Sequence, residues 1–168
     1  MGIMISPEKL RCFPLFAGLP GAVLKDVAMA GEEMALSKGE WLFYEGNEAD
    51  ALYLVLKGAV RLKVALDRER TCHADLDTLG EGDVIGWSAL VEPYTYALSA
   101  VAMTDVRLAR LDGVSLCEIM ARDTGAGYLL MSRLTQIVAS RLATIHARFA
   151  SLVEGEQWQR VAARKPEN

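Results

Sequence analysis

Two stretches of this sequence decide the fold. The first is Gly82–Leu90, GDVIGWSAL, in which two glycines and several small residues allow a tight backbone turn. A helical turn that starts near Gly86 leaves its first N–H groups without intrahelical partners, and such groups form a cradle for an anion. The second stretch is Leu42–Leu62, LFYEGNEADALYLVLKGAVRL, whose pattern predicts a strand, a turn and a further strand.

In this order and at this separation, the two stretches resemble the central part of the cyclic-nucleotide-binding domain of the Crp–Fnr superfamily. The resemblance extends over about residues 10–153. It implies a mainly β fold, an antiparallel β jelly roll (double-stranded β-helix) with flanking short helices and a long C-terminal dimerisation helix. Residues 1–123 then form the cyclic-nucleotide-binding-like domain, and residues 124–168 form the dimer helix and tail.

The pattern of the residues agrees with this architecture. Short strands are predicted over residues 33–37, 40–44, 51–57, 59–65, 73–79, 96–102 and 105–111. Their near-regular spacing, with turn signals between them, is typical of a β-sandwich or barrel. Ser6–Pro7 and Pro20–Gly21 start two short helices before the strands. After Val114 the period becomes helical, with a short helix and then a long one over about 126–154, capped by Thr124 and ended by Gly155.

The long helix carries an apolar seam. Its members, spaced alternately by four and three residues, are Met131, Thr135, Val138, Leu142, Ile145, Phe149 and Leu152. This spacing is typical of a coiled coil, so we predict a homodimer whose interface contains Met131, Val138, Leu142, Ile145, Phe149 and Leu152. The alternative is a single helix that packs on its own barrel through a wider stripe, to which Leu130, Leu134 and Ile137 belong.

The resemblance also implies where a ligand would bind. In nucleotide-binding members, a glutamate accepts a hydrogen bond from the ribose and an arginine pairs with the cyclic phosphate. Trp87 and Tyr96 stand at these two positions here. Each charge-assisted hydrogen bond contributes ~1.5–3 kcal/mol, and ~1.4 kcal/mol is tenfold in affinity. We therefore expect cyclic nucleotides to bind weakly, and we expect no replacement from Arg61, which alternates outward, or from Arg107 and Arg110 on the last strand.

The degenerate cassette supports two interpretations. Its candidate ligand-binding residues are Gly86, Trp87, Ser88, Ala89, Leu90, Tyr94, Thr95 and Tyr96. In the first interpretation, the aromatic rings and hydroxyl groups bind a small neutral or planar molecule. In the second, which is slightly favoured, the side chains fill the pocket, because aromatic residues in a β-barrel usually belong to the core.

These features predict a non-enzymatic regulatory or ligand-sensing domain. The alternatives are a dimeric scaffold without a ligand and a Crp–Fnr-type transcription regulator that lacks its DNA-binding domain. No cofactor is predicted; cyclic nucleotide and haem are the less favoured alternatives. One branch of the superfamily binds haem, which suggests a haem ligand at Cys72–His73. The alternative is that Cys72 is a surface thiol and His73 a solvated histidine. With two histidines and no nucleophile–base spacing, the sequence predicts neither a metal site nor catalytic residues.

Composition limits the partners. The chain has 168 residues, 52% of them hydrophobic, and a net charge of -4, with no apolar run long enough for a membrane span. From the first residues we expect no secretory signal, and the three cysteines suit reduced thiols in a cytoplasm. Neither part of the chain has a basic face for nucleic acid, and a helix-turn-helix does not fit after Val153. The expected partners are a second copy and an unidentified small molecule or protein.

Overall fold

A computed structural model describes residues 3–162 of the chain, with side chains described for residues 4–151. The helices in this part are α1 (Pro7–Arg11), α2 (Gly21–Met29), α3 (Gly113–Arg122) and α4 (Thr124–Ala162). The strands are β1 (Ile3–Met4), β2 (Gly31–Leu36), β3 (Trp41–Phe43), β4 (Ala51–Lys57), β5 (Val60–Ala65), β6 (His73–Leu79), β7 (Val84–Ile85), β8 (Ser99–Ala102) and β9 (Val106–Asp112). Two short 3₁₀ helices cover Pro14–Phe16 and Trp87–Leu90, and we call the second the cassette helix.

The strands form two antiparallel sheets. One has the order β1-β2-β9-β4-β7, and the other has the order β3-β8-β5-β6. Inward-facing side chains of both sheets share one buried cluster, whose members include Phe43, Tyr53, Val55, Val60, Leu62, Leu79, Ile85, Tyr96 and Leu108. The predicted antiparallel jelly roll with flanking helices and a long C-terminal helix is confirmed.

Strand β4 lies between β9 and β7 in the first sheet and is buried on both faces. Tyr53 and Val55 point into the cluster between the sheets. Leu52 and Leu54 alternate with them, so they point to the opposite face, and both are fully buried. Each leucine buried in this way contributes ~1.5–3 kcal/mol. Burial on both faces explains why this strand is a continuous apolar run in the sequence.

The N-terminal helices begin as predicted. The Ser6 hydroxyl accepts a hydrogen bond from the N–H of Lys9, and Pro7 is the first residue of α1. Helix α2 follows Pro20 and buries Val23, Leu24 and Val27. The single apolar face of α2 therefore holds it against the domain.

The C-terminal helices differ from the prediction at their ends. Asp123, not Thr124, caps α4, since its Oδ1 accepts from the N–H of Ala126 at 2.9 Å and Thr124 is already helical. The helix does not end at Gly155 but continues to Ala162. A single glycine inside a helix costs only ~1 kcal/mol relative to alanine, so it need not end one. The predicted tail at residues 163–168 lies outside the described residues.

The chain divides into two compact units, one ending at Leu134 and the other beginning at Thr135. Leu130 and Leu134, in the first unit, are 2% and 3% exposed. In the second unit, Leu142 and Phe149 are 49% and 66% exposed. The division at residue 123 stays a prediction. Across the described residues, none of the helices is both long enough and apolar enough to pass through a membrane.

Substituting the residue that caps α3 tests this helix start. The Asp112 carboxylate accepts from the Ser115 N–H at 2.8 Å and from the Ser115 hydroxyl at 2.7 Å. These bonds, the hydroxyl's first, hold the pKa of Asp112 below its usual value. Asp112→Ala should therefore lower the free energy of unfolding by ~0.5–2 kcal/mol at neutral pH, measured by urea denaturation.

The stability contributed by the Asp112 cap depends on pH, because the pKa of Asp112 is lowered in the folded protein. The stabilisation is complete above the unfolded-state pKa of ~3.9 and is lost as the pH falls through the lower folded-state pKa. The stability difference between the wild type and Asp112→Ala should therefore shrink in strong acid. Asp112→Asn, which still caps, is the control. A difference that stays constant with pH would contradict the role of the carboxylate.

Candidate ligand-binding site

The cassette is built on a glycine that approaches the barrel closely. Strand β7 leads into Gly86, which has φ +78° and precedes the cassette helix. A Cβ atom at this position would lie 2.9 Å from the carbonyl oxygen of Ala51 and 3.2 Å from the Tyr96 ring. Only glycine combines this φ with this lack of space. The predicted short helical turn after Gly86 is present, and it lies against the start of β4.

Tyr96, which the resemblance predicts at the position of the family's arginine, belongs to the buried cluster inside the barrel. Its side chain is 3% exposed. Its ring stacks on Phe43, with centroids 3.7 Å apart and an interplanar angle of 7°. Its hydroxyl donates to the carbonyl oxygen of Ala51 at 2.9 Å and accepts from the N–H of Ala51 at 3.3 Å. Tyr96 is therefore a core residue of the barrel with its polar end satisfied by hydrogen bonds.

The protonation of Tyr96 is fixed by its surroundings. Burial raises the pKa of its phenol far above the ordinary range, and the nearby Tyr53 hydroxyl adds to the rise. Burial likewise raises the pKa of Tyr53. Both phenols therefore stay neutral at physiological pH, so the barrel interior contains hydrogen-bonding hydroxyls and no phenolate.

An arginine does lie next to this position, against our expectation. Arg110 is the cross-strand partner of Tyr53 and shares its inward direction with Leu108 two residues earlier. Its Nη2 donates to Oδ2 of Asp50 at 2.8 Å, while Oδ1 of Asp50 lies 3.2 Å from the Tyr96 hydroxyl. Arg110 therefore lies closer to Tyr96 than expected, because β9 alternates in phase with β4, and the expectation that it does not replace the family's arginine stays a prediction. Arg107, at an odd offset from Arg110, lies on the outer face.

The other predicted cassette residues do not share one environment. Ala89 and Leu90 are buried, whereas Trp87 and Ser88 are half-buried. Tyr94 is 43% exposed. The Thr95 hydroxyl donates to the carbonyl oxygen of Pro93 at 3.3 Å. Their assignment to a ligand site stays a prediction, and of the predicted cassette residues the buried cluster inside the barrel contains Ala89 and Tyr96.

Three residues of this site were missed by the sequence analysis. Phe43 supplies the ring beneath Tyr96, Tyr53 supplies a second inward phenol, and Asp50 links Tyr96 to Arg110. The alternation of β4 contained the signal for Tyr53, since it lies two residues before the apolar Val55. No local pattern distinguished Asp50, whose role depends on three separate segments.

The Cys72–His73 pair lies elsewhere, on the second sheet. Cys72 is an exposed free thiol. The His73 ring is not fully solvated as expected, because it lies against Trp41 with centroids 5.3 Å apart, and its Nε2 is buried. Within the described residues, no group of three or more His, Cys, Asp and Glu side chains could hold a metal ion.

Comparison with known protein families shows to which family this chain belongs. The model of the cyclic nucleotide-binding domain matches residues 33–123, which include β2 to β9 and the cassette helix. The chain belongs to the cyclic nucleotide-binding domain family. Within this family it is similar to Crp–Fnr-type proteins. It is 35% identical over 138 residues to the cyclic AMP receptor protein of Thermus thermophilus, an alignment that covers 80% of this chain and 56% of that protein.

Other relatives show how widely the domain occurs. A crystal structure described as a cyclic nucleotide-binding protein of Geobacter metallireducens is 34% identical, with a TM-score of 0.74, covering 83% of this chain and 99% of that one. A cGMP-dependent protein kinase of Drosophila melanogaster is 27% identical over 69% of this chain and 16% of its own length. This chain thus spans little more than half of the Thermus protein and a small part of the kinase.

Removing one hydroxyl group tests whether Tyr96 closes the barrel. Tyr96→Phe keeps the stack on Phe43 but leaves the N–H and carbonyl groups of Ala51 without this partner. A buried polar group left unsatisfied costs ~1–3 kcal/mol, so the free energy of unfolding should fall by about that amount. Tyr94→Phe, at an exposed phenol, is the matched control and should change it by less than ~0.5 kcal/mol. Equal effects in urea denaturation would contradict the role of Tyr96.

Proposed function

We propose that this chain is a non-enzymatic regulatory module of the cyclic nucleotide-binding family whose barrel site is closed to cAMP and cGMP by its own Tyr96. The observation that carries the proposal is the buried Tyr96 side chain, stacked on Phe43 and hydrogen-bonded to Ala51. A phosphate group would have to displace this side chain and would gain no cation from it. We place the module in the cytoplasm, with a second copy of the chain as its partner.

Two costs add up against cyclic-nucleotide binding. The charged contacts absent at Trp87 and Tyr96 would each contribute ~1.5–3 kcal/mol. Moving Tyr96 out of the barrel also breaks its stack on Phe43, and such aromatic pairs contribute ~0.5–1.5 kcal/mol beyond burial. Each ~1.4 kcal/mol is a factor of ten in affinity, so the expected dissociation constants lie orders of magnitude above those of a working site.

Arg110 does not replace the absent arginine. Its guanidinium donates to Asp50, and that carboxylate also lies beside the Tyr96 hydroxyl. A phosphate that recruited Arg110 would leave Asp50 without its cation and would bring two anions together. The ion pair between Arg110 and Asp50 therefore supports a barrel site closed by Tyr96, in addition to the packing of the Tyr96 ring.

Exposed apolar residues on α4 support the dimer. In the single chain, Leu142 and Phe149 are exposed, and Val138 and Ile145 are half-buried. Met131, nearer the start of α4, is half-buried too. The side chain of Leu152 lies outside the described residues. Burying a side chain of this kind contributes ~1.5–3 kcal/mol, and a symmetric dimer buries each one twice.

Calorimetry tests the closed site. We expect no measurable heat from cAMP or cGMP at micromolar concentrations, because both charged contacts are absent. Trp87→Glu with Tyr96→Arg should restore detectable binding, since it supplies the family's glutamate and arginine at the matching positions. Trp87→Gln with Tyr96→Met opens the same space without charge and should stay silent. Circular dichroism checks that each variant is folded, and tight binding by the wild type would refute the proposal.

Sedimentation tests the dimer. Leu142→Asp with Phe149→Asp places charges in the proposed interface and should convert dimers to monomers. Ala143→Asp with Ala147→Asp makes the same charge change at exposed positions of α4 outside the seam and should leave dimers intact. A wild-type chain that sediments as a monomer at high concentration, or control variants that dissociate equally, would show that the seam is not an interface.

A further inference from the structure

A second cleft lies on the opposite side of the first sheet from the barrel interior. It has a volume of about 490 Å³ and lies between the end of α1, the end of β4 and the segment after β6. Its apolar walls are Phe13 and Leu56, and its charged residues are Lys9, Lys57, Glu81 and Arg107. We call it the outer-sheet cleft. Its volume falls in the range of ~300–1,000 Å³ that is usual for small-molecule sites.

A β-bulge in β4 creates the charge pattern of this cleft. Val55 pairs with Leu108, but the next pair joins Lys57 to Arg107, so Leu56 is an extra residue. Without the extra residue, Lys57 would follow Val55 to the inner face of the sheet. The bulge instead places Lys57 on the outer face beside Arg107. Bulges that re-aim side chains are frequent next to functional sites.

The bulge thereby places two cations directly opposite each other. Lys57 and Arg107 are cross-strand partners, and both line the outer-sheet cleft as well as a neighbouring cleft of about 360 Å³. Like charges in this arrangement destabilise a sheet. Asp105 lines the neighbouring cleft with these two cations, and an anion bound in the outer-sheet cleft would relieve their repulsion on that side.

A buried carboxylate holds two of the three cations in place. Glu33, whose side chain is 4% exposed, pairs with Lys9 and with Arg107. The bond from Lys9 is the main cause of the lowered pKa of Glu33, and Arg107 also lowers it. One carboxylate neutralises only one of these two charges. With Lys57 added and Glu81 at the rim, the cleft keeps a net charge of +1, counting Lys9, Lys57 and Arg107 against Glu33 and Glu81.

We propose that the outer-sheet cleft binds a small ligand that carries a carboxylate or phosphate on an apolar body. Lys57 and Arg107 bind the anionic group, Glu33 is the positioning residue for Arg107 and Lys9, and Phe13 with Leu56 contacts the apolar part. Phe13 is only 5% exposed, so the apolar wall is part of the packed domain. The site does not depend on the barrel pocket, because Arg107 and Tyr53 lie on opposite faces of the sheet.

Titration calorimetry with four probes tests the proposal. The probes are 3-phenylpropionate and phenyl phosphate as amphipathic anions, 3-phenyl-1-propanol as a neutral body, and inorganic phosphate as an anion without a body. We expect saturable binding of one or both amphipathic anions and at least about tenfold weaker binding of the other two, which lack a charged or an apolar contact. Which of the two anions binds more tightly distinguishes a carboxylate ligand from a phosphate ligand.

Two lysine variants make the test specific. Lys57→Met keeps the apolar stem and should weaken binding about tenfold or more, without lowering the melting temperature of the free protein, because it removes the repulsion of Arg107. Lys25→Met removes one charge from the exposed face of α2 and should change nothing. Amide chemical shifts in the bound state should change at Leu56 and Gly82 rather than at Ala89 in the cassette.

Three results would overturn the proposal. They are no saturable binding of either amphipathic anion, equal binding of 3-phenyl-1-propanol or inorganic phosphate, and unchanged affinity in Lys57→Met. A Lys57→Met protein that is markedly less stable than the wild type would contradict it too, since Lys57 would then be a structural residue. None of these outcomes bears on cyclic-nucleotide binding in the barrel, so the two proposals fail separately.

Discussion

The hydrogen bonds between the Tyr96 hydroxyl and both backbone groups of Ala51 are the interaction on which the barrel interior depends. Strand β7 pairs with β4 only at Tyr53 and Leu54, because the chain turns away at Gly86. The N–H and carbonyl groups of Ala51 on that side would lack ladder partners, and a buried unpaired group is costly. The phenol takes the place of the missing strand partners, so the start of β4 and the segment that precedes β8 are held together.

A phenol does this task only while it is buried and neutral. In the family's nucleotide-binding pattern the same position holds a guanidinium, which needs an anion inside the barrel. Replacing the cation with Tyr96 removes that need, since the ring packs on Phe43 and the hydroxyl is satisfied by backbone groups. Asp50 accepts from Arg110 and so pairs this inward cation.

The two faces of the first sheet differ in how their polar and charged groups are paired. On the inner face, hydroxyl and carboxylate groups satisfy one another around Tyr96. On the outer face, the bulge at Leu56 sets Lys57 against Arg107, with one buried carboxylate shared between Arg107 and Lys9. A sheet normally avoids such a pair, and this local conflict is of the kind that proteins keep at functional sites. The polar groups around Tyr96 are thus paired with one another, whereas two cations of the outer face are cross-strand neighbours.

The sequence by itself determined the architecture, the strands near their observed bounds, the start of α1 and the substitutions at Trp87 and Tyr96. These features depend on local patterns: alternation in strands, capping residues at helix starts and a motif of fixed spacing. Only the tertiary structure decided that Tyr96 points into the core, that Arg110 reaches Asp50 and that Lys57 faces Arg107. Each of these contacts joins segments far apart in the chain, and the last one depends on a one-residue shift in strand register, which composition and periodicity do not encode.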